Sequence, residues 1–267
     1  MSRRVAVVAV VALVALAGCS GGSLGGPTGA SDATADGAAT STEAPKTTLP
    51  DVTEQPWVYG NETVAYERLF DAHEAALANA SSFVFSRHSE SNTGATTQSR
   101  IAVRNDAQRA NLSVTTSFSN TTRIQNTFVA NGTVYAESGT ADDRQYSRDD
   151  QNLTGEAFDE FVAEQSRIQV PPGVLQAFTF EYAGTAEGAY VFEADSVRPS
   201  DETSFDAENV TAASATLVVD GDGFVRELSI SLTVDGPDGE ASATATVRAT
   251  GVNETTVVEP AWTDEAA

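Results

Sequence analysis

A single cysteine stands in this chain of 267 residues, and it follows Leu16-Ala17-Gly18. A thiolate is the best side-chain nucleophile for alkylation. The small residues Ala17 and Gly18 let a peptidase approach the backbone just before Cys19. Residue types and spacing therefore fit cleavage ahead of Cys19 and attachment of lipid to its sulfur. Upstream lie Ser2-Arg3-Arg4 and twelve apolar or small residues, Val5 to Leu16. A charged start, a short apolar run and a small-residue cleavage site make an export signal, not a membrane span. Twelve helical residues reach roughly 18 Å, short of the roughly 30 Å hydrocarbon core.

The arrangement looks like a lipobox, and it predicts a signal peptide over 1–18 with a lipid on Cys19. The competing reading is a plain secretory signal with a chance cysteine. Under the first, the chain hangs from the outer face of the cytoplasmic membrane, and the lipid is its membrane contact. The Ser-Arg-Arg-Val-Ala-Val start also resembles a twin-arginine signal, with Ala6 a weak apolar residue for that pattern, so Sec export stays open.

Other chemistry is sparse. Asp220-x-Asp222-Gly223 has the start of a calcium loop, but Phe224 and Arg226 stand where later ligands belong, and a tight hairpin turn explains the same residues. His73 and His88 fall in different predicted elements, which leaves no two-histidine metal site; His73 lies on an apolar helix face and reads as a packed residue. The chain carries no nucleophile elbow, zinc helix, phosphate loop or dinucleotide fingerprint. No catalytic residue, metal ligand or cofactor is assigned, and the chain is not read as an enzyme. Eight Asn-x-Ser/Thr sequons begin at Asn61, Asn79, Asn111, Asn120, Asn131, Asn152, Asn209 and Asn253. On an exported chain some of these suit glycans on loops.

Charge narrows the partners. The formal net charge is −23, and loss of Arg3 and Arg4 with the signal takes it to −25. Lys46 is the one lysine. A chain this acidic has no basic patch to release counterions from nucleic acid, and none to adhere to anionic headgroups. With 40% hydrophobic residues it is still not a disordered composition. Such acidity resembles the proteins of salt-loving archaea, whose self-repulsion is screened at high salt. With Cys19 committed to lipid, no disulfide can staple the fold, so stability rests on burial.

The elements that follow are these. Residues 19–56 form the lipidated cysteine and a low-complexity tether, punctuated by Pro27, Pro45, Pro50 and Pro56. As flexible coil it spans about 35 Å. The folded part is expected over 57–262, with a tail at 263–267. Asn61 caps a helix from Glu62 to Asn79 whose apolar face carries Tyr66, Leu69, Phe70, His73 and Leu77. From Ser82 the period changes to two, the mark of half-buried antiparallel strands. Phe128 to Tyr135 forms a hairpin, with Asn131-Gly132 supplying the positive φ angles of a type I′ turn. A second helix runs from Gly155 to Ser166 and a short one from Val174 to Phe178. Phe178, Phe180 and Tyr182 then alternate as a strand, with a turn over Gly184 to Gly188. Residues 194–209 read as a loop or short helix. A three-stranded meander, 213–219, 224–234 and 241–250, completes the domain.

The stretch Ala215-Thr216-Leu217-Val218-Val219-Asp220-Gly221-Asp222-Gly223-Phe224-Val225-Arg226-Glu227-Leu228-Ser229-Ile230 resembles a hairpin of the lipid-binding lipoproteins of mycobacteria. Those proteins and the bacterial lipoprotein carriers share a half-open antiparallel barrel whose concave side is lined by helices and holds acyl chains. The chain as a whole also resembles haloarchaeal surface lipoproteins of unassigned function. The resemblance covers about residues 57–262, and it implies an α+β fold: a strongly curved antiparallel sheet of eight to eleven strands, a half-open barrel with two or three helices on its concave side. It implies a lipid or other hydrophobic ligand, with Tyr66, Phe70, Phe83, Phe85, Phe128, Phe178 and Phe180 as lining candidates. Many strand positions are Thr, Ser and Ala, which would make the hollow smaller or wetter. The alternative function is a closed surface domain for protein or cell-envelope contact with no small ligand, its protein partner unknown.

Overall fold

The computed structural model describes residues 49–59, 63–168, 172–198, 207–236 and 239–266. The signal segment, Cys19, most of the tether and the helix cap expected at Asn61 lie outside them.

The period-two pattern that starts at Ser82 becomes β1 (Ser82–Ser91), as expected. It is followed by β2 (Thr96–Arg104), β3 (Arg109–Phe118), β4 (Thr121–Ala130), β5 (Gly132–Gly139) and β6 (Arg144–Leu153). A second series comprises β7 (Glu181–Ala186), β8 (Ala189–Ala194), β9 (Val210–Val219), β10 (Val225–Gly236) and β11 (Gly239–Thr250). Among the described residues these form one antiparallel sheet in the order β6-β5-β4-β3-β2-β1-β11-β10-β9-β8-β7. Each series is a meander, and the pairing of β1 with β11 joins them in the middle. The sheet is not closed, since β6 and β7 are its edges.

Among the described residues three α-helices accompany the sheet: α1 (Tyr66–Asn79), α2 (Glu156–Ser166) and α3 (Pro172–Ala177). The fold is thus α+β. Helices α2 and α3 occupy the connection that carries the chain from one sheet edge to the other. The first helix starts at Tyr66, four residues later than Glu62, because the backbone folds back on itself there: Val58 bridges Val64, and Ala65 donates to the Trp57 carbonyl.

Alternation sorts the strand residues onto two faces. On the first face Phe83 and Phe85 lie beside Val103 and Ile101, then Ala110 and Leu112. The same face continues through Ala249 and Val247 of β11 to Leu228, Ile230, Leu232 and Val234 of β10. Leu69, His73 and Leu77 of α1 and Phe158 and Val162 of α2 close over this layer to make the main core.

Two tight turns set the register. Asn131 and Gly132 have φ of 54° and 79°, so the β4–β5 loop is the type I′ turn the sequence predicts. The β7–β8 turn is Glu187-Gly188, with Ala186 facing Ala189, and it is shorter than the expected Gly184–Gly188. Gly184 instead lies in the strand at a bulge. Phe178 and Phe180 precede β7, and Phe178 makes only an isolated bridge to Val197.

Both expected borders of the domain move outward. Val52 is buried in the main core ahead of Trp57, in a 3₁₀ turn over Val52–Glu54 whose cap, Asp51, accepts from the Thr53 amide. At the other end a second 3₁₀ turn, Ala261–Ala266, buries Thr263 and Ala266 where a free tail is expected.

Candidate functional site

The seven lining candidates fall in two places. Phe83 and Phe85 come from the centre of the sheet, Tyr66 and Phe70 from the first turns of α1, and Phe178 and Phe180 from the segment after α3. All six belong to the layer between helices and sheet. Tyr66 joins two of these elements: its ring meets Phe70 at 6.4 Å and Phe180 at 6.1 Å, and its hydroxyl donates to the Phe178 carbonyl at 3.1 Å. Burial holds that phenol well above its usual pKa. Phe178 and Phe180 lie 6.2 Å apart. Phe83, Phe85, Phe178 and Phe180 are each 2% exposed or less, so protein atoms cover them on all sides.

A second aromatic group, with no part in the sequence-based set, continues the same layer. Trp57 meets Tyr190 and Phe192, each at 5.8 Å, and Tyr182 meets Phe192 at 5.7 Å. The Tyr190 hydroxyl donates to the Pro50 carbonyl at 2.8 Å and accepts from Gln55 at 2.9 Å. Between α1 and the β9–β10 turn only glycine fits at 223. Its φ is +87°, and a Cβ there would stand 2.5 Å from that of Ala72.

Two polar side chains tie the layers. His73 is buried, its Nδ1 accepts from the Val225 amide at 3.2 Å, and its ring packs against Phe85 and Phe224. Burial lowers its pKa to about 4, so it is neutral at pH 7. Its place is structural, in line with the reading of an apolar-face histidine. Arg87 sits over the Phe85 ring at 5.1 Å and donates to the Gln165 and Arg167 carbonyls at the end of α2. A guanidinium there suits the negative end of the helix dipole. Burial lowers its pKa to about 10, against the opposing charge of Glu164, which leaves it charged at neutral pH.

Phe128 belongs elsewhere. It points to the other face of the sheet, one residue out of phase with Val129, and packs with Ala102, Ala130, Val257, Tyr135 and Trp262. The thickness of the sheet separates it from the other six. The segment after β11 forms the cover, tied down where Asn253 donates to the Ser82 carbonyl at 2.7 Å and where Glu259 pairs with Arg109 at 3.4 Å.

Next to this cover the second face is open and polar. Strand register aligns Arg248, Ser86, Arg100, Ser113, Asn126, Glu137 and Tyr146 in one row across β11, β1, β2, β3, β4, β5 and β6. Two depressions lie along it and share Ser113 and Thr115. One, of about 580 Å³, includes His88 and Arg100. The other, of about 740 Å³, has Asn126, Glu137, Arg144 and Tyr146 on the sheet side and Pro260, Ala261 and Trp262 as its wall.

Glu137 is the unusual residue of this face. It is 1% exposed, and Oε1 accepts from Arg144 Nη1 at 2.6 Å. Among the described residues its Oε2 has no partner at ordinary hydrogen-bond geometry, although the Tyr146 hydroxyl reaches the same carboxylate, and Oδ1 of its cross-strand neighbour Asn126, also buried, has none. Burial first, then the charge of Glu137 and a hydrogen bond to it, raise the pKa of Tyr146, against the opposing charge of Arg144. Sequence reasoning passed over Glu137, because one carboxylate among 38 acidic residues carries no signal.

The acidic turn serves the fold. Asp220 pairs with Arg226 at 2.7 Å, and Asp222 accepts from the Phe224 amide at 3.3 Å. Among the described residues no three His, Cys, Asp or Glu side chains gather as a metal site would require, and no helix is long and apolar enough to cross a membrane.

Comparison with other proteins adds little to this geometry. Of the solved structures it is similar to, one is a chain of the Pseudomonas aeruginosa MucA/MucB complex, 10% identical with a TM-score of 0.28, aligned over 75% of this chain. The chain spans 60% of the length of that relative. Another is GphF Dehydratase 1, also 10% identical, with a TM-score of 0.13 over 72% of this chain and 86% of that one. Neither score bears on fold or function. No curated protein matches the chain. Residues 4–266 match the family model of DUF7537, a family of unknown function, and the chain belongs to that family.

Proposed function

We propose that this chain is an extracytoplasmic lipoprotein, anchored through Cys19 at the outer face of the cytoplasmic membrane, that binds or carries a lipid or another hydrophobic molecule. In this reading the sheet is a half-open barrel, and the ligand lies on its helix-bearing side between the two layers. One observation carries it: α1 meets the sheet through side chains and not through a backbone ladder. Leu69, His73 and Leu77 are its buried contacts. Near its two ends it is held by the Tyr66 hydroxyl and by the Asn105 amide, which donates to the Leu77 and Ala80 carbonyls. Such a layer can part without breaking sheet hydrogen bonds, and what it uncovers is apolar. Each methylene of an acyl chain buried there would contribute about 0.8 kcal/mol. Tyr66, Phe70, Phe83, Phe85, Phe178 and Phe180 would line the opened space; Phe128 would not.

The test uses the full chain carrying Cys19→Ser, purified in high salt. Native mass spectrometry should show heterogeneous added masses that organic extraction releases as lipid, and a clean apo mass speaks against a carrier. The same substitution should move the protein out of the membrane fraction; persistent membrane association removes the anchor from the reading. A halophilic origin further predicts loss of structure by circular dichroism between about 3 M and 0.1 M salt, as screening of the acidic surface fails.

The full burial of Phe83, Phe85, Phe178 and Phe180 favours a second reading, a closed domain for protein or envelope contact with no small ligand. A clean mass together with a co-purifying envelope protein would select it.

A further inference from the structure

On the face of the sheet away from the helices, we propose a binding site for a neutral saccharide, built around Glu137 and Asn126 and walled by Trp262. Buried polar groups are almost always hydrogen-bonded, and each exception calls for an explanation. Here two exceptions are adjacent. Glu137 Oε2 and Asn126 Oδ1 belong to cross-strand neighbours, both residues are more than nine-tenths buried, and both line the same 740 Å³ depression. Both atoms are acceptors, so what completes them must bring donors.

Charge selects among donor-bearing ligands. A cation would meet Glu137 already neutralised by Arg144 at 2.6 Å. An anion would meet the field of a chain of net charge −23. An apolar ligand would leave both acceptors unpaired, which costs free energy in a buried setting. A neutral group with several hydroxyls avoids all three penalties, because each hydroxyl both donates and accepts. Donors for its oxygens are at hand in Arg144, Tyr146 and Ser113. The half-buried indole of Trp262 adds an aromatic face, whose negative quadrupole attracts the polarised C–H groups of a sugar ring. The wall is held in place: Thr263 donates to the Pro260 carbonyl at 2.9 Å, and Glu259 pairs with Arg109. Because this site and the apolar layer lie on opposite faces, either can fail without the other.

Saturation-transfer NMR on the full chain tests it, with D-glucose, D-galactose, D-mannose, choline and inorganic phosphate as separate probes at tens of millimolar. Transfer to the ring C–H protons of at least one hexose is expected. Glu137→Gln should weaken it roughly tenfold, the effect of losing one hydrogen bond to a charged group. Tyr146→Phe, at a more exposed position, should weaken it less. Should Glu137→Gln fail to fold, Tyr146→Phe decides, together with hexose protection of Trp262 from acrylamide while Trp57 in the core stays unquenched throughout. Silence from all three hexoses overturns the proposal and leaves the two acceptors to water. Binding of choline or phosphate alone, or hexose transfer unchanged in folded variants, overturns it as well.

Discussion

Strand β10 shows how differently the two faces of this sheet are made. Toward the helices it presents Leu228, Ile230, Leu232 and Val234, each 2% exposed or less. One residue out of phase, it presents Glu227, Ser229, Ser231 and Thr233. The first set is hydrocarbon packed against hydrocarbon; the second is hydroxyls and charge, exemplified by Glu227 paired with Arg248 at 2.9 Å. Strand β1 repeats the pattern, with Phe83 and Phe85 inward and Ser86 and His88 outward. Cohesion is concentrated on one side, and recognition chemistry is free to collect on the other.

Substitutions that treat the faces alike would break this contrast. Phe85→Ala should cost about 3–5 kcal/mol in denaturant unfolding, the usual penalty for emptying a ring-sized space in a packed core. Ser231→Ala, on the same sheet but outward, should stay within about 0.5 kcal/mol. Equal costs at both sites would mean that the polar face is packed too.

Acid should act through the inner face. The folded pKa of His73 is about 4, below its ordinary 6.5. The unfolded chain therefore binds this proton more readily. Stability is full above about pH 6.5 and falls as pH drops to about 4, by about 3 kcal/mol in all. Thermal melts at constant salt should show that slope, and His73→Asn should flatten it. A slope that survives the substitution places its cause among the carboxylates.

A smaller effect than that of Phe85 or His73 is expected at the corner of the sheet that the segment after β11 covers. Asn131→Val should weaken the β4–β5 hairpin by about 1 kcal/mol, since a β-branched residue resists positive φ. Unchanged melting would mean that the strap over Phe128, Trp262 included, and not the turn, holds this corner.

How much could be read in advance follows from the same contrast. Alternating strands with a clear inside were legible, and so was the Asn131-Gly132 turn, because local chemistry dictates them. Phe128-Val129-Ala130 defeated the reading: an unbroken apolar run carries no phase, and only the distant strap makes Phe128 an outward residue. Strand β6 was invisible. Its sequence, Arg144 to Leu153, is nearly all polar and exposed, and it is extended because β5 offers it an edge. Its charges then protect that edge from further pairing. Glu137 was hidden for the opposite reason, since its burial comes from the tertiary setting of β6 and the strap and not from its neighbours in sequence.

The seam between β1 and β11 sets a timetable for the molecule. The sheet's central partners are separated by more of the chain than any other neighbouring pair, and pairings that close such long loops form slowly. As the chain emerges from a ribosome, β1 to β6 can assemble early, but the flank of β1 stays open until Gly239–Thr250 appears. Until then the growing protein carries an unsatisfied edge beside Phe83 and Phe85, the kind of surface on which nascent chains aggregate or recruit chaperones. The last strand made is the one that commits the fold.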